Sequence, residues 1–134
     1  MRVVLDANVL VSGLIARAGP PARLLELWLD GAFELIVSPK LLAETEKTLA
    51  APKLFDRVTP EDVAELRDLL EQHAEKLDDQ AITGPLRSVD PDDDYLLALA
   101  AAADAHLVSG DRHLLDLAGS APVLTPRAFL ELLT

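Results

Sequence analysis

The feature that most constrains this chain is the alternation of short apolar runs with longer helical patterns. Apolar runs occupy residues 2–5, 33–37 and 106–109, and a smaller one occupies 122–124. Each is followed by a helical apolar period or by a helix-start signal. Because parallel neighbours in a sheet are joined through a covering element, this alternation predicts an α/β protein. We expect a three-layer α/β/α sandwich with a central, mainly parallel sheet.

Hydroxyl residues in front of prolines mark several helix starts. Ser38, Thr59 and Thr125 each precede a proline, so each places a capping oxygen next to a residue that lacks an N–H group. The predicted helices follow Asp6-Ala7-Asn8, then run from Pro21 to Asp30, from Pro39 to about Ala50, from Thr59 to Leu77, from Asp90 to Ala103, from Arg112 to Ala118, and from Thr125 onward. Asp78 to Val89 is predicted to be a connecting loop.

Length and composition set further limits. The 134 residues contain no repeat and no obvious linker, so we expect one domain that spans residues 1–134. No apolar stretch approaches the roughly 18 residues of a membrane-spanning helix, and Asp6 interrupts the region where a secretory signal needs its apolar core. We therefore expect a cytoplasmic protein without membrane contact. The absence of cysteine means that any metal is bound by oxygen or imidazole.

The charge of the chain is strongly acidic. Its formal net charge is −11, with 23 acidic residues against 12 lysines and arginines. Proteins that grip nucleic acid through its phosphates normally carry a basic surface, so this balance argues against extensive phosphate contact. We expect nucleic acid to bind weakly and locally, and the remaining acidity to serve solubility or a basic partner.

Two acids follow predicted strands, and a third lies near a helix start. Asp6 follows the first strand and Asp111 follows the strand that ends at Ser109, so both are expected at the carboxyl edge of the sheet, where open parallel sheets bind ligands. Asp93 lies near the start of its helix, which begins at the same edge if that helix returns the chain. Each acid could instead cap a helix or favour its dipole, and Glu44 alone could simply lie on a solvated face.

Acids that share one edge need a compensating charge. Two carboxylates about 5 Å apart repel by about 3 kcal/mol at an effective dielectric constant near 20. A divalent cation removes this cost, and ligands that are all oxygen select Mg²⁺ or Mn²⁺. Such an ion activates water for attack on a phosphodiester.

Four segments resemble the motifs of the PIN-domain ribonuclease family. They are Val4-Leu5-Asp6-Ala7-Asn8-Val9-Leu10-Val11-Ser12, Ser38-Pro39-Lys40-Leu41-Leu42-Ala43-Glu44, the segment from Asp90 to Ala100 that reads DPDDDYLLALA, and the segment from Leu107 to Leu115 that reads LVSGDRHLL. They occur in the order that the family has, and together they span most of the chain. The resemblance implies a metal-dependent endoribonuclease, frequently the VapC-like toxin of a type II toxin–antitoxin pair.

Carried over by position, this resemblance implies a site. Its catalytic and metal-binding residues would be Asp6, Glu44, Asp93 and Asp111, and its cofactor Mg²⁺ or Mn²⁺. Asn8 and Ser109 would support the acids through hydrogen bonds, and Arg112 is a candidate substrate contact. Alignment on the apolar residues that follow selects Asp93, although Asp92 or Asp94 could be the main ligand instead. The implied partners are an RNA substrate, an antitoxin protein and a second copy in a homodimer.

Other residues and other functions stay open at the level of sequence. Lys40, Arg17 and Arg23 could contact phosphates or simply be solvated. The three histidines, at positions 73, 106 and 113, have no zinc-pair spacing, and only the last is near a proposed acid. A non-catalytic PIN module that acts as a dimerisation or RNA-processing scaffold is one alternative function. A metal-dependent phosphatase is another, although Asn8 replaces the second acid that phosphoaspartyl enzymes carry.

Overall fold

A parallel sheet of five strands lies at the centre of the computed structural model, which describes residues 1–16, 18–54, 56–81, 93–118 and 121–134. The strands stand in the order β3-β2-β1-β4-β5, and each neighbouring pair is parallel. The mainly parallel sheet predicted from the sequence is therefore confirmed. The strands are β1 (Arg2–Leu5), β2 (Glu34–Val37), β3 (Glu75–Lys76), β4 (His106–Val108) and β5 (Val123–Leu124).

Helices connect the strands and begin where the capping signals predict. The side chains of Ser38, Thr59 and Thr125 each accept a hydrogen bond from the amide of the third residue onward. The carboxylate of Asp62 also accepts a hydrogen bond from the Thr59 amide, which completes a capping box. The helices of the described residues are α1 (Ala7–Ile15), α2 (Pro20–Leu29), α3 (Pro39–Leu49), α4 (Pro60–His73), α5 (Asp94–Ala103), α6 (Arg112–Leu115) and α7 (Pro126–Leu133), and Pro52–Leu54 forms one 3₁₀ turn.

Burial of β1 explains the layered architecture. Val3, Val4 and Leu5 are completely buried, although successive residues of a strand point to opposite faces of the sheet. Both faces must therefore be covered. Helix α5 packs against β1 and β4, while α1 packs against α2 and α3, and α2 packs against α7. The result is the predicted α/β/α sandwich, with the core around the central strand.

The structure corrects the predicted end of α4. The sequence predicts a helix to Leu77, but α4 ends at His73 and the chain turns into β3, whose residues pair with Ile36 and Val37. The Leu77 amide then donates to the Val37 carbonyl at 2.9 Å. Both residues of β3 are charged and exposed, so no apolar alternation distinguishes this edge strand from the polar end of a helix.

Two other boundaries differ from the sequence prediction or lie beyond what is described. Helix α6 ends at Leu115 rather than Ala118, because the amides of Leu117 and Ala118 donate three residues back and form a tight turn. Residues 82–92 lie outside the described residues, and they include most of the predicted loop and the predicted start of α5 at Asp90. None of the helices in the described ranges combines the length and hydropathy needed to cross a bilayer.

The strand order places a crevice between β1 and β4. The chain moves outward from β1 to β2 and β3, and then crosses to β4 on the other side of β1. In open parallel sheets, such a reversal of direction leaves a gap above the carboxyl ends of the two strands. Asp6 follows β1 directly, and its amide donates to the Val108 carbonyl at the end of β4 at 3.0 Å. The two strand ends therefore lie side by side.

Gly13 allows α1 and α2 to approach closely, and this contact gives a testable prediction. A Cβ atom on Gly13 would lie 2.6 Å from Leu25 Cδ1 and 2.9 Å from the Pro21 carbonyl oxygen, which is backbone and cannot rotate away. We expect Gly13→Ala to lower the free energy of unfolding by about 0.5 to 2 kcal/mol, because overpacking outweighs the better helix propensity of alanine. Urea unfolding measures this difference.

Gly110→Ala is the matched control for this variant. A Cβ atom at Gly110 has no other atom within 4 Å, so the same change should leave the free energy of unfolding within about 0.5 kcal/mol of wild type. Equal stability of the two variants would contradict the close packing of α1 on α2.

Candidate functional site

The carboxylate of Asp6 lies at the switch point of the sheet and is buried. Asp6 follows β1 and is the N-cap of α1, where its Oδ1 accepts a hydrogen bond from the Asn8 amide at 3.3 Å. The hydroxyl of Ser109, which follows β4, donates to Asp6 Oδ2 at 2.7 Å. Only 6% of Asp6 is exposed, and Ser109 is completely buried. Asn8 supports Asp6 through its backbone rather than through its side-chain amide.

Ser109 also connects Asp6 to Asp111. The amide of Asp111 donates to Ser109 Oγ at 2.9 Å, so one hydroxyl accepts from the backbone of one acid and donates to the carboxylate of the other. Asp111 is the N-cap of α6, and its Oδ1 accepts from the His113 amide at 2.8 Å. Asp6 and Asp111 thus lie at the same edge of the sheet, as their positions after parallel strands predict.

Burial changes the acidity of Asp6. The pKa of this carboxyl group is raised from 3.8, first because burial disfavours the charged form. The hydrogen bonds from Ser109 and from the Asn8 amide act in the opposite direction, and the negative charge of Asp111 raises the pKa further. The two acids are therefore electrostatically coupled as well as connected through Ser109.

The charges of Asp6, Glu44 and Asp93 all act on one buried phenol, that of Tyr95. Tyr95, in the first turn of α5, is only 7% exposed. Its pKa is raised, first by burial and then by the negative charges of Asp6, Glu44, Asp93 and Asp79. The charges of these four carboxylates, which come from separate segments, therefore all disfavour the phenolate of Tyr95.

The acidic run before α5 is only partly described. Asp93 directly precedes the helix and is half-buried, while Asp94 is its first residue and is 5% exposed. Asp92 lies outside the described residues. The charge of Asp93 contributes to the raised pKa of Tyr95, and the choice among Asp92, Asp93 and Asp94 stays a prediction.

The structure brings these acids to one edge without forming a complete coordination shell. In the described residues, no group of three or more acids and histidines is arranged to hold a metal ion. Repulsion among carboxylates favours such a separation in the protein alone. The donor chemistry nevertheless suits a hard cation, because the four acids predicted from the sequence offer only carboxylate oxygens.

Two further residues near the acids were not part of the predicted site. Asp79 follows β3, and its Oδ2 accepts a hydrogen bond from the Lys40 amide at 3.0 Å in the first turn of α3. Lys40 Nζ lies 4.7 Å from the centre of the Tyr95 ring. Recognition of Glu75–Lys76 as a strand would have pointed to Asp79, because acids that follow parallel strands reach the same edge.

The other sequence candidates have different surroundings. Arg112 is exposed at the start of α6, beside Asp111, and Arg17 lies outside the described residues. Arg23 pairs with Glu26 at 2.9 Å on the surface of α2. His106 lies against the Phe129 ring, and His113 Nδ1 lies 3.8 Å from Asp111 Oδ1, so only His113 is close to the acids.

Comparison with protein families decides the relationship of this chain. A family model described as the PIN domain matches residues 2–113. The chain belongs to the PIN domain family. The motifs that indicated this resemblance all begin within the matched range.

Solved structures share the fold of this PIN domain at low sequence identity. One is VapBC2 from Rickettsia felis, bound to a DNA fragment from its promoter. It has a TM-score of 0.61 at 17% identity, and the match covers 93% of this chain and 97% of that chain. FitAcB from Neisseria gonorrhoeae has a TM-score of 0.54 at 17% identity, covering 93% and 98%. FitAB bound to an IR36 DNA fragment has a TM-score of 0.59 at 18% identity, covering 92% and 94%. No curated protein matches the chain.

The raised pKa of Asp6 makes the stability of this PIN domain depend on pH. The carboxyl group of Asp6 binds its proton more readily in the folded state than in the unfolded state. Its charge therefore does not destabilise the fold below pH 3.8, and destabilises it fully at pH values above the folded-state pKa. In EDTA, we expect the wild type to lose stability relative to Asp6→Asn as the pH rises from about 4 to about 8. Urea unfolding of both proteins across this range measures the difference.

Asparagine keeps an oxygen that can accept the Ser109 hydrogen bond, so comparison of the two proteins isolates the charge. The contributions of the other acids are common to both and largely cancel. A stability difference that stays constant over the whole pH range would mean that the pKa of Asp6 is not raised.

Proposed function

We propose that this PIN domain is an endoribonuclease that uses Mg²⁺ or Mn²⁺ to hydrolyse RNA phosphodiester bonds. The observation that supports the proposal is the connection of Asp111 to Asp6 through Ser109 at the strand ends, with the charges of Asp6, Glu44 and Asp93 all acting on nearby Tyr95. Carboxylates gathered from separate segments at a switch point are destabilising unless they serve a cation. Membership of the PIN domain family supports nuclease chemistry.

Each acid has a position from which it would hold the ion. Asp6 and Asp111 lie above the ends of β1 and β4, Glu44 approaches from α3, and Asp93 approaches from the start of α5. When bound, such an ion supplies a Lewis acid that polarises the phosphoryl group and makes water a stronger nucleophile. Asp6, Glu44, Asp93 and Asp111 would hold the ion, and its charge would offset the repulsion among their carboxylates.

The buried hydrogen bonds prepare Asp6 for this role. A carboxylate must be deprotonated and oriented before it can bind a cation. The Ser109 hydroxyl and the Asn8 amide donate to different oxygens of Asp6, so they set its rotation and favour its charged form against the effect of burial. Ser109 and Asn8 therefore act as positioning residues, as groups outside the coordination shell do in metal sites.

We also infer that the nuclease is the toxin of a type II toxin–antitoxin pair. The motif resemblance supports this assignment, and so do the similar solved structures of VapBC2 and FitAB, both of which are bound to DNA fragments. The net charge of −11 is suited to a partner with a basic surface. A homodimer is expected from the same resemblance.

RNA cleavage by Asp93→Asn tests the proposed function. We expect wild type to cleave RNA with Mn²⁺ and to lose activity in EDTA. Asp93→Asn should reduce kcat by more than the roughly 10- to 100-fold cost of losing a residue outside the shell, because it removes a proposed ligand. Initial rates on a labelled single-stranded RNA measure the effect.

Asp104→Asn is the matched control for charge. Asp104 is exposed at the other end of α5, with a φ of 52° that asparagine also tolerates. The Asp104→Asn variant should cleave RNA at the wild-type rate. Equal cleavage by wild type and Asp93→Asn would rule out the proposed site, and absence of cleavage by wild type would favour the scaffold alternative. Turnover of small phosphate esters without RNA cleavage would favour a phosphatase.

Metal binding should also stabilise the folded protein. Because Mn²⁺ relieves carboxylate repulsion in the folded state only, we expect it to add about 2.7 kcal/mol to the free energy of unfolding at 100 times its Kd. Thermal unfolding with and without Mn²⁺ measures the effect, and EDTA should reverse it. Asp6→Asn should lose most of the increase in Tm and Asp104→Asn should keep it; an equal increase in both would place the ion elsewhere.

A further inference from the structure

Lys40 is a cation placed at the edge of the acidic crevice. It is the second residue of α3 and precedes Glu44 by four positions, so the two side chains emerge from the same face of the helix. The Lys40 side chain is exposed, yet its ammonium lies 4.7 Å from the centre of the buried Tyr95 ring. The lysine thus connects the start of α3 to the start of α5, the two helices that bring Glu44 and Asp93 to the site.

Within the described residues, the ammonium of Lys40 is not paired with a carboxylate. In the part of the chain that the structure describes, Arg2, Arg23, Arg67 and Lys76 form ion pairs with glutamates, whereas Lys40 forms none. The hydrogen bond between α3 and Asp79 uses the Lys40 amide and leaves the ammonium exposed. What restrains the ammonium is the face of an aromatic ring, which attracts a cation without neutralising it.

A substrate strand needs such a charge at this place. RNA is a polyanion, and the negative charges of Asp6, Glu44, Asp79 and Asp93 all act on Tyr95, on a chain of net charge −11. A metal at the acids compensates only the phosphate that reacts. The neighbouring phosphates of the strand would still face carboxylates. Binding of the strand therefore requires a cation that lies beside the acids and is not ion-paired with them.

We propose that Lys40 binds a phosphate of the RNA strand adjacent to the one that is cleaved, and that the ring of Tyr95 positions its ammonium for this contact. The inference rests on the proposed ribonuclease function. A lysine is a flexible point charge, so the ring reduces the conformational freedom that binding would otherwise remove. A phosphate contact does not read bases, so Lys40 contributes to affinity for every RNA sequence equally.

The experiment compares Lys40→Met with Lys47→Met in Mn²⁺, on a labelled single-stranded RNA. Lys47 is exposed in the last turn of the same helix, so both variants remove one positive charge from α3. We expect Lys40→Met to raise KM about tenfold while kcat changes less than about twofold. The slope of log KM against log salt concentration should fall by about 0.7, the value for one phosphate contact on a single strand. Lys47→Met should match wild type in KM and in the slope of log KM against log salt concentration.

Tyr95 variants test the positioning role separately. Tyr95→Phe keeps the ring and should keep the wild-type KM, whereas Tyr95→Leu should raise KM toward that of Lys40→Met. Thermal unfolding identifies any variant that has lost its fold. Lys40→Arg keeps the charge and the ring contact, so its KM should lie closer to that of wild type than the KM of Lys40→Met does. Equal KM in Tyr95→Phe and a folded Tyr95→Leu would overturn the role of the ring.

The outcomes separate this inference from the function on which it rests. If wild type cleaves RNA and Lys40→Met equals Lys47→Met in KM and in salt dependence, Lys40 does not bind phosphate and the ribonuclease proposal stands. If wild type cleaves no RNA in Mn²⁺, the proposed function fails and the inference fails with it.

Discussion

The hydrogen bond between Ser109 and Asp6 joins the two strand ends on which the site depends. It connects the end of β1 to the end of β4, the pair of neighbours between which the chain reverses direction across the sheet. Its geometry depends on the complete burial of Val3, Val4 and Leu5 in β1 and of Ser109, since both strand ends are then fixed by packing on each face. Asp111 is joined to the same hydroxyl through its amide, so one buried side chain sets the relative positions of two acids.

Around this bond the fold concentrates negative charge in a partly dehydrated place. Burial raises the pKa of Asp6, and burial followed by the charges of Asp6, Glu44, Asp93 and Asp79 raises that of Tyr95. These effects oppose folding, and proteins retain them mainly where a ligand or a reaction requires them. The described residues hold the acids near one another without closing a shell around an ion. We propose that a cation completes this site, and Lys40 lies beside it in contact with the Tyr95 ring.

Much of the framework could be predicted because it depends on local signals. Apolar runs indicate the buried strands, and Ser38, Thr59 and Thr125 mark helix starts through bonds that span only three residues. Asp6 and Asp111 could be placed because an acid after a parallel strand must lie at the carboxyl edge. The strand β3 could not be recognised, since its two exposed charged residues carry no apolar pattern and its pairing with β2 spans a long separation in sequence. The position of Asp79 was missed for the same reason.

The sequence by itself determined the fold class and the caps, because apolar periodicity and capping act over a few residues. It also predicts which acids form the site, and that identity stays a prediction. Only the tertiary structure decided which groups share a hydrogen bond or an electric field. The contact of Ser109 with Asp6 spans 103 positions, and the approach of Lys40 to Tyr95 depends on how α3 and α5 pack above the sheet. Such contacts follow from strand order and helix packing, which bring together residues whose chemistry has no local relation in the chain.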